Sequence, residues 1–576
     1  MVRRQWIFLA VLLWVTAAGA RADDLGGDAP MLVPDAAAAD SGAVEPMGSP
    51  EPAPGPADPA APAEDAAMID LSLADAMALA IENNLNVQVA RHDPLIAWER
   101  TRIAWGAYDP VASIESIRSD TETRFASALQ ATPGAAGTTP VALVEDEVWH
   151  NEGSLGGILP VLSTQYELSF SGDKTKTNRS ISSLREQWTS GLTFSFTQPL
   201  LRNLYWNQPW TEVKLSKEAY GQALEEFRLQ LMNIVTRVED SYWEAVATDE
   251  QERVAVKSLE ASQELLEQTE VQYEVGVVSK VEVFEAEAGV AEREVELIRA
   301  RNAYRSAQDD LIDQILGVNL EAGSRTLVNP TDRPDEYTAY VVDVEAAAGK
   351  AMRLRPELAA LDQAIEQQEI RLTFNRNQMA PQVDLVASYG YTGLSGKPCD
   401  PTGPLGFCSS LAPPIDIHSN FGHSTEDFFD HDGANNWSIG GVFSIPLGNH
   451  APRARKRQAE IEMRKIRTQR VRLVQDIILN IRKSARDLRS AQEGIEAAER
   501  RRLAAEEQFR AEGIRLEQGE STPFDVLQRE RDLVSAESQK IGAFQLYRNA
   551  VAALERSQGT ILERHNIVVD EARRLR

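Results

Sequence analysis

The stretch FRLQLMNIVTRVEDSYWEA, Phe227–Ala245, decides the fold. Phe227, Leu231, Ile234, Val238, Ser241 and Ala245 recur at alternating spacings of four and three, the seam of a coiled coil. Working outward, Pro209 suits the first turn of a helix, where its missing N–H costs nothing. Gly276 marks a tight tip, and a return helix runs on to Leu316. At about 1.5 Å per residue, Pro209 to Gly276 predicts a rod on the order of 100 Å. No ordinary globular core is that long.

The rod occurs twice. Pro452 opens a second helix and Gly519 ends it, with the spacing of Pro209 and Gly276 unchanged. Leu231, Ile234, Val238, Ser241 and Ala245 map onto Val474, Ile477, Ile481, Ser484 and Leu488. The tips align as well, Glu274-Val275-Gly276 with Glu517-Gln518-Gly519. Upstream, Ala80–Val87 aligns with Ala351–Leu358, and the same offset aligns Asp109-Pro110 with Ala380-Pro381. In each repeat a helix of fixed length therefore delivers the chain to a proline, and a strand follows. Equal rods without insertion imply that length itself is selected.

The net charge of −28 over 576 residues argues against nucleic-acid binding, which needs a basic footprint. Two cysteines are too few for a disulfide framework or a thiolate zinc site. Residues 1–22 read as a signal peptide: Arg3 and Arg4, an apolar run from Trp6 to Val15, then small-residue cleavage sites. Residues 23–67, rich in Ala, Pro and Asp, read as a disordered linker. No later run reaches the roughly 18 apolar residues of a spanning helix. If the mature chain enters a membrane, it does so as β-strands.

Short alternating strands are present; alternation alone suits a small soluble sheet better, and the export signal, the aromatic ends and the repeat turn the reading to a membrane barrel. Val383, Leu385, Ala387 and Tyr389 share one face; Leu192, Phe194 and Phe196 alternate with threonine and serine; so do Trp437, Ile439 and Phe443 with small polar residues. The stretch after Pro110 is a weaker fourth. Each approaches the roughly 10 residues that a tilted membrane strand needs, and Trp105, Tyr108, Tyr205 and Trp206 sit at strand ends as an interfacial girdle would. Four strands cannot enclose a lumen. Two chains would give a barrel filled by its own side chains, and three would leave room for water. Tyr166–Phe170 also alternates and could add strands within 161–177; it is read here as part of an elaborated loop.

Residues 69–565 resemble the TolC family of outer-membrane efflux and secretion ducts. The resemblance rests on Leu71-Ser72-Leu73 with Ala76, Asn83 and Asn84; on Arg355-Pro356-Glu357-Leu358; on Gln198-Pro199-Leu200; and on Tyr273, Gly276, Ser279 and Val283 at the first tip. It implies an α+β membrane protein with two structural repeats, 68–330 and 331–576, each running helix, strand, strand, long helical hairpin. It implies a homotrimer, with a short antiparallel barrel of twelve strands in the outer membrane and a helical tunnel in the periplasm. It also implies a periplasmic adaptor at the tips, an inner-membrane transporter behind it, no enzymatic activity and no cofactor. By this resemblance Gly276, Ser279, Gly519 and Thr522 mark adaptor-contacting tips. Asp525, and Glu282 at the equivalent position of the first hairpin, become a periplasmic gate. A solvated helix face or a cap is the plainer reading of both carboxylates. The tyrosine and arginine that latch the TolC tip have Leu516 and Ser521 at their positions here, so the closed state needs another latch.

Other clusters carry less. His418, His423 and His431 share a loop with several aspartates but show no fixed ligand spacing, so a polar loop is preferred to a metal site. Cys399 and Cys408 lie in the same proline-rich loop and are expected to pair in an oxidising compartment. Arg453, Arg455, Lys456 and Arg457 suit a solvated helix face or contact with anionic headgroups. Residues 319–343 and the helix around Phe544–Leu562 are expected to pack together as a collar. The competing reading from another class is a periplasmic coiled-coil adaptor that never enters the membrane; that would carry one hairpin and a compact barrel.

Overall fold

A computed structural model describes residues 68–124, 143–177, 184–317, 326–333, 339–398, 420–426 and 434–568. The signal peptide, the linker, Cys399, Cys408, His418 and His431 lie outside the described residues. In chain order the elements are β1 (Met68–Leu71), α1 (Leu73–Asn83), α2 (Leu85–Trp105), β2 (Val111–Arg124), β3 (Leu143–Ile158), β4 (Gln165–Thr177) and β5 (Leu184–Pro199). Then come α3 (Gln208–Glu274), α4 (Lys280–Leu316), β6 (Leu327–Pro330), α5 (Val344–Leu354), α6 (Pro356–Asn377), β7 (Gln382–Pro398), α7 (Phe421–Glu426) and β8 (Ala434–Ser444). The chain closes with α8 (His450–Glu517), α9 (Pro523–Gln558) and α10 (Ile561–Arg564). It divides into two compact units, one helical and one sheet-bearing.

The helical unit takes in the chain up to Leu95, Leu224–Leu358 and Arg472 onward. Its core is the seam read from sequence: Leu231, Ile234, Val238 and Ala245 are buried against Leu311 and Ile315 of α4. Ala76, Met77 and Ala80 of α1 join them, as do Val328, Ala552 and Ile561. Each fully buried aliphatic side chain contributes about 1.5–3 kcal/mol. The second seam behaves alike. Ile477 and Ile481 pack on Ala347, Ala351 and Leu358, and Leu488 packs on Phe544, Tyr547 and Leu554. Val328 beside Ala552 and Ile561, and Tyr340 and Val342 beside Phe544, realise the expected packing of the inter-repeat segment on the last helices.

Local chemistry sets the breaks. Ser72 caps α1 through a capping box with Asp75. Asn84 ends that helix and starts the next: its side-chain oxygen accepts from the Asn86 and Val87 amides at 2.8 and 3.3 Å, and its Nδ2 donates to the Gln314 carbonyl at 2.9 Å. Gly317, at φ +51°, lies so close to the Asn83 carbonyl that a Cβ there would be 1.9 Å from its oxygen. A short parallel pair, β1 with β6, joins the start of the first repeat to the inter-repeat segment. Sequence patterning gave no sign of it.

The sheet-bearing unit takes in Ile96–Ala223 and Ala359–Val471. It holds one antiparallel sheet in the order β2-β3-β4-β5-β7-β8. Four expected strands are there: β2, β5, β7 and β8. The expectation of only four is corrected to six, because 143–158 and 165–177 form a further hairpin inside the sheet. The reading of Tyr166–Phe170 as loop fails for a physical reason. β3 carries Gly153, Gly156 and Gly157, which weaken any strand pattern, yet β4 packs on it: a Cβ on Gly157 would meet the Tyr166 hydroxyl at 3.0 Å and its ring at 3.3 Å, and one on Gly156 the Tyr166 carbonyl at 3.0 Å. Arg453, Arg455 and Arg457 are exposed at the start of α8, as a solvated face would be. Among the described residues no helix is long and apolar enough to cross a membrane, and no cluster of His, Cys, Asp and Glu is placed to hold a metal ion.

Candidate functional site

Both hairpin tips are built by the same device. The Gly276 amide donates to the Tyr273 carbonyl at 2.9 Å and the Val277 amide to Gln272 at 2.9 Å. The Gly519 amide donates to Leu516 at 3.0 Å and the Glu520 amide to Arg515 at 2.9 Å. This paired closure satisfies the last carbonyls of α3 and α8, and it requires a left-handed residue just past the helix. Gly276 and Gly519 supply it at φ +80° and +73°, with open space around both. The glycines are there for backbone conformation, not for close packing.

The predicted gate carboxylates begin the return helices. The Ser279 amide and hydroxyl donate to Glu282 Oε1 at 3.3 and 3.1 Å. The Thr522 hydroxyl accepts from the Asp525 amide at 3.3 Å and donates to its Oδ2 at 2.8 Å. Each carboxylate sits in the first turn, where the helix dipole favours negative charge. Capping thus engages one oxygen of each and leaves the other outside the cap. The structure groups Ser279 with Glu282 and Thr522 with Asp525; it does not bring Glu282 and Asp525 into contact.

The tips differ in surface. Val275, Val277, Val281 and Phe284 are more than half exposed at the first. At the second, Leu516, Val526 and Leu527 are buried, and Ile514 and Phe524 are left open. The first tip thus presents a solvent-facing group of valines and a phenylalanine.

Behind the tips lies a feature that sequence reading missed. Glu530 of α9 is 4% exposed and Arg293 of α4 is 3% exposed. Glu530 Oε1 accepts from Ser258 of α3 at 2.5 Å; its Oε2 accepts from Ser262 at 3.3 Å and pairs with the Arg293 guanidinium at 3.3 Å. Arg293 also reaches Glu296 at 2.5 Å. One carboxylate therefore ties α9 of the second hairpin to both helices of the first. Next to it, Leu527 packs so closely on Gly289 that a Cβ there would be 2.9 Å away. The signal was present: Glu530 follows Val526 and Leu527 in a seam position, and Arg293 stands between Gly289 and Leu297 in another.

A second buried charged cluster joins α3 to α9 and the residues after it. Glu239, 1% exposed, meets His565 Nε2 at 3.1 Å and Arg564 at 3.5 Å, and Arg564 also meets Glu555 at 3.0 Å. Burial, then the neighbouring Glu239 charge, pushes the Asp240 carboxyl up to about 6. Burial likewise raises Glu555.

Residues 159–318 and 347–560 match the sequence model of the outer membrane efflux protein family. The alkaline protease secretion protein AprF of Pseudomonas aeruginosa is 27% identical over 183 residues, 30% of this chain and 36% of that protein. The chain therefore spans about a third of the length of the curated relative it matches. Among solved structures, the outer-membrane channel OprN superposes with a TM-score of 0.57 at 16% identity, covering 84% of this chain and 89% of that one. The CmeC outer membrane channel of Campylobacter jejuni gives 0.57 at 12%, over 84% and 85%. VceC of Vibrio cholerae gives 0.55 at 16%, over 84% and 96%. At these identities the structural likeness is one of fold, a helix-rich α+β architecture of the TolC type, and it agrees with the resemblance read from sequence. On the sequence match across both repeats, the chain belongs to the outer membrane efflux protein family.

Proposed function

We propose that the protein is an outer-membrane duct: a homotrimer whose sheets close into one barrel in the outer membrane and whose helical hairpins line a periplasmic tunnel. The observation that carries this reading is the sheet's exposed apolar face. Leu155, Leu168, Phe194, Tyr389, Trp437 and Ile439 point to one side and are each about two-fifths to two-thirds exposed. A soluble domain would bury such a face, whereas a barrel turns it to lipid. A periplasmic adaptor would have no use for it, and that alternative is not favoured. The first-tip surface of Val275, Val277, Val281 and Phe284, with Ser279, Gly276, Gly519 and Thr522, is the place for a periplasmic adaptor to bind, and the adaptor couples the duct to an inner-membrane transporter. Glu282 and Asp525, repeated by threefold symmetry, form a carboxylate ring at the periplasmic mouth, with the oxygens left free by capping facing the lumen. AprF is described as a secretion protein, which makes exported polypeptide the first cargo class to test, ahead of small-molecule efflux. The duct does no chemistry.

Membrane fractionation tests the reading. The full-length protein is expected in the outer-membrane fraction, extractable only with detergent and of trimeric mass by light scattering. Recovery in the soluble periplasmic fraction as a monomer would refute it.

A further inference from the structure

The six strands form one uninterrupted antiparallel sheet, and its two edges are strands of the same kind. β2 and β8 are exposed along their full length. On the apolar face Ile114 of β2 is 91% exposed, and Trp437, Ile439 and Phe443 of β8 are 70, 67 and 68% exposed. Long bare edges with apolar side chains invite another strand.

The β3–β4 hairpin is part of this sheet, not an appendage. β3 pairs with β2 from Val111↔Gly156 to Arg124↔Leu143, and β4 pairs with β5 from Gln165↔Thr197 to Lys176↔Glu186. The rows of the apolar face run straight through it: Trp437, Tyr389, Phe194, Leu168, Leu155 and Ala112 stand side by side across the six strands. Its turn is fixed at the level of the other strand ends. Thr164 Oγ1 donates to Gln198 at 2.5 Å, Ser163 Oγ donates to the Asn203 carbonyl at 2.6 Å, and the Asn207 side chain donates to Ser163 Oγ. Among the described residues β3 is the strand that pairs with β2.

Direction decides what meets the edges. With an even number of alternating strands, β2 and β8 run in opposite senses. Rotation about a barrel axis keeps each sense, so β8 of one copy meets β2 of the next antiparallel, the arrangement of every other seam in the sheet. Apolar side chains then continue around the outside. From Val383 to Tyr391 the apolar face of β7 extends about 26 Å at about 3.3 Å per residue, close to the apolar band of an outer-membrane barrel. Above it, α7 lies on the same face: the Phe421 ring meets Phe170 at 5.9 Å, and Ser190 Oγ donates to the Ser424 carbonyl at 2.7 Å. That contact ends the lipid-facing surface.

We infer that β8 of each copy pairs with β2 of the next copy and that each copy gives six strands to the barrel, so that a threefold duct closes with eighteen, six from each of three chains. This rests on the trimeric duct proposed above. Barrel diameter grows roughly in proportion to strand number, so the lumen is about half as wide again as one of twelve strands. Its wall is the polar face, where Glu115, Glu152, Glu167 and Asp173 lie on the side opposite the apolar rows. A wide acidic channel suits an extended or partly folded polypeptide better than a small solute.

Single-cysteine variants in the full-length protein test the strand count. Trimeric mass in the outer-membrane fraction is measured first; its absence would remove the duct reading itself. In trimers, Glu167→Cys and Ser169→Cys of β4 are expected to react with a membrane-impermeant maleimide about tenfold faster than Tyr166→Cys and Leu168→Cys, as lumen and lipid positions of a spanning strand do. Thr193→Cys against Phe194→Cys of β5 is the control for that alternation. Uniform fast labelling of all four β4 positions, with alternation kept in β5, would place the hairpin outside the membrane and overturn the inference while leaving the duct standing. The seam is tested with Ser438→Cys combined in turn with Ser113→Cys, Glu115→Cys and Ser119→Cys. Oxidation is expected to link copies through one of these pairs. Intact trimers with no linked copies from any pair would mean that something other than this chain covers the edges.

Discussion

Replacing Arg293 with leucine leaves Glu530 buried with two serine hydroxyls and no countercharge. Removing one partner of a buried ion pair costs about 3–5 kcal/mol. The structure points to the lower end. Ser258 and Ser262 still donate to the carboxylate, each such bond to a charged group holding about 1.5–3 kcal/mol. About 3 kcal/mol is therefore expected for Arg293→Leu. Glu530→Leu costs about as much, because the guanidinium keeps only Glu296, whose side chain is 41% exposed. The double variant, Arg293→Leu with Glu530→Leu, should recover most of the loss, since an apolar pair of similar volume is often neutral or better in such a site. The freed serine hydroxyls can turn back to carbonyls of their own helix. Hydrogen exchange followed by mass spectrometry reads this locally in peptides covering 250–300 and 520–540. Each single variant should lose about a hundredfold in protection there, at about 1.4 kcal/mol per factor of ten, and the double variant about tenfold or less. Equal loss in all three would refute the reasoning, because the cost would then be one of packing and not of a stranded charge.

Further outcomes follow from the tips and the buried helices. Glu282→Gln with Asp525→Asn keeps the caps but removes the charge, so cation selectivity in single-channel recordings should fall while stability stays within about 0.5 kcal/mol; unchanged selectivity would put both carboxylates outside the pore. Gly276→Val and Gly519→Val force a β-branched residue to positive φ and should each cost about 1–2 kcal/mol of local stability, seen as faster exchange in the tip peptides alone. Asp240, raised to about 6 by burial and Glu239, favours the folded state most below its unfolded value near 4 and loses that contribution as pH rises through about 6. Asp240→Asn should therefore raise the unfolding midpoint at pH 7.5 and leave it nearly unchanged at pH 4. Mass spectrometry of unreduced digests should find Cys399 linked to Cys408; free thiols at both would end that expectation.

The rods were legible because their information is redundant. Every turn of α3 and α8 repeats the same demand, and the two copies report each other, so Val238 and Ile481 could be placed in a seam and both prove fully buried. The tips were legible because Gly276 and Gly519 act through their own backbone neighbours. The charged knot of Arg293 and Glu530 was harder to see. A seam position filled by a charge looks like a lapse in the pattern until the partner helix supplies the opposite sign. Glu282 and Asp525 lie in the first turn of each return helix, but a carboxylate that caps and a carboxylate that gates share one sequence pattern.

The β3–β4 hairpin shows where single-strand patterning stops. A strand announces itself by its own alternation, and β3 has little: Gly153 and Gly157 stand on the apolar face beside Leu155. Their apolar cover comes from neighbours. Ile114 and Phe170 flank Gly153 in register, and the Tyr166 ring lies over Gly157. The apolar character of this face at β3 is thus held by the row and not by the strand. Reading across register, with each strand judged by what its partners place beside it, recovers the hairpin. The same logic extends to the edges, where Ile114 and Trp437 each have, among the described residues, a strand neighbour on one side and none on the other. In the threefold barrel proposed above, another copy finishes their rows.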